Sequence, residues 1–232
     1  MLDGRHGDNI SKEKTKMHNF RYVSRKQLFP VKKDLIQIIN AVQDQIRKDF
    51  TFQFYFVGSV KRNMVTYDVG TNIGYDFDVN IQVNDDECKF SAKEIKTKIR
   101  LVLNKVAPHF GYDSAEDSTR VLTIKVKDKQ NSRILYSCDF AIVNDYIDDD
   151  GNKRQEYIHF HKRQNRYSWQ EQPQGFYLLD EKAEWIKDCG YWQNVRDLYL
   201  DKKNHNSNQH KHSRSIYAET IHEICQKFGY YD

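Results

Sequence analysis

The chain has 232 residues, 38% of them apolar, and no apolar run approaches the ~18 residues needed to cross a bilayer. Its opening stretch, MLDGRHGDNISKEKTK, holds no apolar segment of the kind that directs secretion, and three prolines and ten glycines exclude collagen-like or Pro/Gly-rich disorder. A net charge of +4 admits a polyanionic partner without demanding one.

Residues 1–19 are polar and aperiodic and are expected to form a flexible tail. The spacing of Leu35, Ile38, Ile39, Val42 and Ile46 predicts a helix over 31–49, with Pro30 just ahead of it. An aromatic-rich strand, TFQFYFV, stops at Gly58-Ser59, and the polar segment through Gly74 reads as a short helix and a loop. From Tyr75 to Val83 the pattern alternates strictly: Phe77, Val79, Ile81 and Val83 against Asp76, Asp78, Asn80 and Gln82. That is a strand with one apolar and one polar face. Ser91 and Glu94 form a capping box ahead of an amphipathic helix through Ile95, Ile99, Val102, Leu103 and Val106, which ends before Pro108. Strands follow over 120–127 and 134–143, and a hairpin turning at Asp150-Gly151 leads into 156–160. Helical patterns cover 176–188, 191–200 and 213–228, and the Asn/His-rich 204–212 reads as a surface loop. The order predicts an α+β fold: a mixed β-sheet with flanking helices over 20–174 and a small C-terminal helical subdomain over 175–232.

The four cysteines, Cys88, Cys138, Cys189 and Cys225, are far apart and include no C-x-x-C pair. They suit neither a disulfide framework nor a zinc ribbon, so a cytoplasmic protein with reduced thiols and no membrane association is expected.

Asp76 and Asp78 lie two apart on the alternating strand, so their carboxylates leave from one face. Two such charges ~4 Å apart repel by roughly 4 kcal/mol at an effective dielectric near 20. Either the face is open to water and both are solvated, or a divalent cation relieves them, and hard oxygen ligands suit Mg²⁺ or Mn²⁺. Asp139 sits inside the otherwise apolar strand YSCDFAIV, where an unpartnered carboxylate is costly. It is either bonded to a loop at a strand end or shares a cation. The Gly58-Ser59 turn permits close approach of phosphate to backbone, with Lys61 and Arg62 nearby, though each basic residue suits a solvated helix face equally well. Together these features supply a phosphate cradle and three carboxylates, the parts list for in-line nucleotidyl transfer with two metal ions.

The motifs F-V-G-S (56–59), Y-D-F-D-V (75–79) and C-D-F (138–140) resemble those of the DNA polymerase β-like nucleotidyltransferase superfamily. Within it the chain is most similar to the bacterial relatives of cyclic GMP-AMP synthase and oligoadenylate synthetase, through Thr119-Arg120 and the helix Ser215–Ile221 with Glu219. The resemblance implies that Asp76, Asp78 and Asp139 are catalytic and bind the metal ions, and that Gly58, Ser59, Lys61, Arg62 and Ser215 hold the NTP. It further implies that Arg120 meets a nucleotide acceptor. Three departures stand out. Residues 60–75 form an insert; Tyr199 occupies the place of a triphosphate-contacting lysine, with Lys202 and Lys203 just beyond; and the helical subdomain is short. The function expected is metal-dependent transfer of an NMP from an NTP to a hydroxyl, including synthesis of a linear or cyclic oligonucleotide. Two alternatives are modification of an RNA 3′ end or a protein hydroxyl, and an inactive nucleotide- or RNA-binding module. His205, His210 and His212 lack the cysteine partners of a zinc site, and His159 and His161 fit a polar strand face.

Overall fold

The computed structural model describes residues 18–70, 74–85, 87–208 and 211–230. The central sheet runs in the order β2 (Thr51–Val57), β4 (Tyr75–Asn84), β7 (Arg133–Ile147), β6 (Val121–Asp128) and β5 (Glu116–Asp117). The C-terminal part of β7 also pairs with β8 (Lys153–His161), which pairs with β9 (Arg166–Glu171). The β4–β7 pairing is parallel and every other pairing in this sheet is antiparallel, as the α+β reading required.

One face of the sheet is dry. Phe77, Val79 and Ile81 of β4 and Cys138, Phe140 and Ile142 of β7 point to α1 (Arg25–Ile46) and α3 (Ala92–Val106), whose Leu35, Ile38, Ile99 and Leu103 close the core. The second face carries the polar positions and lies under a helical layer of α4 (Gln174–Asp188), α5 (Trp192–His205) and α6 (Ser213–Phe228). These helices build their own core from Ile186, Val195, Ile221 and Ile224.

Several local expectations are corrected. Pro30 lies inside α1 rather than ahead of it, because Ser24 caps the helix and forms a capping box with Gln27, starting it at Arg25. Helix α5 extends to His205, so the loop before α6 is shorter than 204–212. Two three-residue strands, β1 (Phe20–Tyr22) and β3 (Thr66–Asp68), pair with each other and turn part of the 60–75 insert into a small antiparallel ribbon. Residues 1–17 of the expected tail, and His210, lie outside the described residues; His18 and Asn19 are both bonded to Asp68. Among the described residues no helix is long and apolar enough to cross a membrane.

Candidate active site

Parallel register sets the geometry of the acids. Asp78 on β4 is the direct neighbour of Asp139 on β7, and Asp76 is the neighbour of Ser137. Register partners share a face, and residues two apart do too, so all three carboxylates leave the sheet on the side away from α1 and α3. Ser137 Oγ donates a short hydrogen bond to Asp76 Oδ1, and Thr123 Oγ1 donates to Asp139 Oδ1 at 2.5 Å. Burial, then the charges of Asp139 and Asp76, push the Asp78 carboxyl up to about 6. Burial also raises Asp139, against the lowering effect of the Thr123 bond.

The loop after β2 closes on this cluster. Val57 is opposite Asp78 in the β2–β4 ladder, and Gly58 follows with φ +59°. A Cβ at Gly58 would stand 2.1 Å from Asp78 Oδ2, so both the left-handed backbone and the close approach exclude a side chain. A single helical turn, α2 (Gly58–Lys61), begins here, and its Ser59 carbonyl accepts from the Met64 amide at 2.8 Å.

The sheet face and the helical layer enclose a cavity of about 1460 Å³, lined by the three acids and by Gly58, Ser59, Lys61, Arg62 and Arg120. Arg62 stacks on Tyr217 of α6 at 4.0 Å, and its charge favours the ionised form of Asp78. Arg120 stacks on Tyr157 at 3.9 Å and donates to Gln172 at 2.9 Å. Ser215 does not line the cavity. Helix α6 starts at Ser213, so Ser213, Arg214, Ile216 and Tyr217 face inward while Ser215 is rotated to solvent. Glu219 pairs with Lys211 at 2.7 Å.

A lysine does reach the cavity one helical turn after Tyr199. Lys203 lines the cavity on the same face of α5 as Tyr199, whereas Lys202 turns away to Glu223 at 2.5 Å. Lys203 is 9% exposed; its Nζ donates to Thr66 Oγ1 at 2.8 Å and stands 4.0 Å over the Phe20 ring. Burial lowers its pKa to about 8, opposed by the charges of Asp76 and Asp68. The β1–β3 ribbon thus forms one wall. It brings His18 to the cavity, with Nδ1 at 2.7 Å from Asp68 Oδ2. Sequence reasoning missed Ser213, Arg214, His18 and the ribbon; the only signal for Lys203 was its spacing of four from Tyr199.

The donor set is all hard oxygen, and a divalent cation would offset both the burial and the like charges that raise Asp78, so the residues suit Mg²⁺ or Mn²⁺ at Asp76, Asp78 and Asp139. Among the described residues, however, no three acidic, His or Cys side chains are closed up as a ready ligand cluster. Asp76 and Asp139 are instead engaged by Ser137 and Thr123.

No protein-family model and no curated protein matches the chain. Solved structures do. The STING-associated CdnE c-di-GMP synthase from Capnocytophaga granulosa aligns over 91% of this chain and 64% of its own, at 16% identity and a TM-score of 0.56. The Vibrio cholerae DncV cyclic AMP-GMP synthase, described as a prokaryotic cGAS homolog, aligns over 86% of this chain and 67% of its own, at 11% identity and a TM-score of 0.56. The chain spans about two-thirds of the length of each. The chain thus has the fold of these bacterial cyclic-dinucleotide synthases.

Proposed function

We propose that this chain is a divalent-cation-dependent nucleotidyltransferase that moves a nucleoside monophosphate from an NTP to a hydroxyl acceptor, with a linear or cyclic oligonucleotide as product. The observation that carries this reading is the in-register pair Asp78–Asp139, with Asp76 on the same face, directly beside the Gly58 turn. A Vibrio cholerae dinucleotide cyclase of the same fold has been solved with ATP and GTP, at a TM-score of 0.53 and 12% identity, which supports an NTP as donor.

In this reading the Gly58-Ser59 backbone, Arg62, Lys203 and Ser213 hold the triphosphate, with Lys61 at the rim. Arg120, fixed by Tyr157 and Gln172, meets the acceptor. Asp76, Asp78 and Asp139 hold Mg²⁺ or Mn²⁺, which when bound neutralises phosphate charge and favours ionisation of the attacking hydroxyl. Asp139, beside the attacking hydroxyl, accepts the acceptor's proton as its oxygen bonds to the α-phosphorus. The bond from that phosphorus to the bridging oxygen breaks, and pyrophosphate leaves with the electron pair.

The test is incubation with each α-labelled NTP and Mg²⁺ or Mn²⁺, alone, with RNA, and with a protein acceptor. A labelled oligonucleotide made by the native chain and lost in Asp139→Asn supports the proposal. Label on RNA or protein would move the acceptor class, and nucleotide binding without product under any condition would leave a binding module instead.

A further inference from the structure

The polar face of β4 continues past Asp78 to Asn80, which stands between Tyr55 on β2 and Ala141 on β7. A hydrogen-bond chain fixes which way its carboxamide points. Tyr55 donates its hydroxyl proton to Asp145 Oδ2 at 2.8 Å, since a carboxylate only accepts. The phenol oxygen then acts as acceptor and receives Asn80 Nδ2 at 3.3 Å and Gln155 Nε2 at 3.1 Å. Gln155 is fixed independently: its Nε2 also donates to Asp145 Oδ1 at 2.7 Å, and its Oε1 accepts from Gln172 at 3.1 Å. Burial pushes the Tyr55 hydroxyl up to about 12, so it keeps the proton this polarity requires at neutral pH.

With its nitrogen drawn to Tyr55, Asn80 presents Oδ1 to the cavity it lines, although the residue is only 8% exposed. We propose that Asn80 is a specificity-determining residue: Oδ1 accepts a hydrogen bond from an amino group on the base of a nucleotide lying over the sheet. The inference rests on the nucleotidyl-transfer reading above. Two residues of extended strand, ~6.6 Å, separate Asn80 from Asp78, which carries it from the reacting phosphate toward the base. The small Ala141 beside it leaves room for a ring, and the Arg120–Tyr157 stack supplies a flat wall to the same cavity. A base offering a carbonyl at this point would set acceptor against acceptor, leaving both without a donor.

The experiment is equilibrium binding, with Ca²⁺ in place of Mg²⁺, of triphosphate pairs that differ at one amino group: CTP and UTP, GTP and ITP, ATP and purine riboside triphosphate. The native chain is expected to favour the amino-bearing member of at least one pair about tenfold, the factor that one net hydrogen bond supplies. Asn80→Leu brings that pair to within about twofold, and Tyr55→Phe, which frees the amide to turn over, lowers the preference to about threefold. Melting curves check that each variant folds. The inference is overturned if the preference survives Asn80→Leu or is untouched by Tyr55→Phe. It is equally overturned if discrimination follows removal of a ribose hydroxyl instead. Binding of all triphosphates without preference defeats this inference and leaves the enzymatic reading standing; binding of none defeats both.

Discussion

Asp78, pushed up to about 6 by burial and two like charges, makes the metal-free site a stability liability once it ionises. Its native pKa lies above the ordinary ~3.9 of an unfolded Asp. Between roughly pH 4 and 6 the native chain therefore holds a proton that the unfolded chain has released, and stability falls as pH rises through that window. Asp78→Asn should raise the melting temperature of the metal-free protein at pH 8, by up to about 3 kcal/mol of stability, with the gain vanishing below about pH 4. Equal melting differences at both pH values in a fluorimetric scan would contradict the electrostatic account. Gly58→Ala is expected to act on the same carboxylate. The new Cβ must displace Asp78 Oδ2 from 2.1 Å, and the left-handed backbone adds about 1–2 kcal/mol of strain. Loss of transfer activity by roughly 100-fold, the scale of a misplacement near 1 Å, is predicted. Activity within about twofold of the native chain would show that the turn and the acid are not coupled.

Much of this residue-scale detail was legible. Alternation put Asp76 and Asp78 on one face, and the cost of an acid in an apolar strand singled out Asp139. Which serine of α6 faces the cavity, Ser213 and not Ser215, was not legible, because helical phase depends on where the helix meets the cavity. Lys96 was illegible for a different reason. On a helix whose neighbours Ile95 and Ile99 mark the buried side it reads as a surface lysine, yet it is 1% exposed and paired with Asp117 at 2.9 Å.

Helix α5 and the β1–β3 ribbon act together at the next scale up. Thr66 of β3 holds the Lys203 ammonium, Asn204 Oδ1 accepts from the Phe20 amide at 2.6 Å, and Tyr22 donates to the Arg196 carbonyl at 2.6 Å. The ribbon therefore decides where a cation of α5 stands in the cleft. With its pKa lowered to about 8, Lys203 is protonated at pH 7 and mostly neutral at pH 9. NTP affinity is predicted to fall across that interval, as the charge that attracts phosphate is lost. Lys203→Met should weaken binding about tenfold at pH 7 and remove the pH dependence. A titration giving the native pH profile in the variant would remove Lys203 from the phosphate site. The longer elements were readable from periodicity, caps and turns. Three-residue strands carry too few positions for alternation to register, so β1 and β3 emerged only from their pairing.

Across the whole molecule, the cleft exists because two cores face each other across a polar sheet surface. The α1/α3 core fixes the strands from behind, and the α4–α6 core docks in front, with Met64 from the insert among its buried members. The sequence order foretold both layers and the mixed sheet. The docking between them depends on long-range contacts such as Arg62 on Tyr217 and Arg196 on Tyr22, which no local pattern encodes. The nucleotidyl-transfer proposal requires that Asp76, Asp78 and Asp139 together grip divalent metal beside the Gly58 turn. Anomalous diffraction from crystals soaked with Mn²⁺ and a non-hydrolysable NTP analogue tests it most directly. The prediction is a manganese peak bonded to all three carboxylates, with Asp139 turned from Thr123 and phosphate oxygens beside Gly58 and Lys203. Manganese found elsewhere, or Asp139 still bonded to Thr123 with the nucleotide bound, would contradict it.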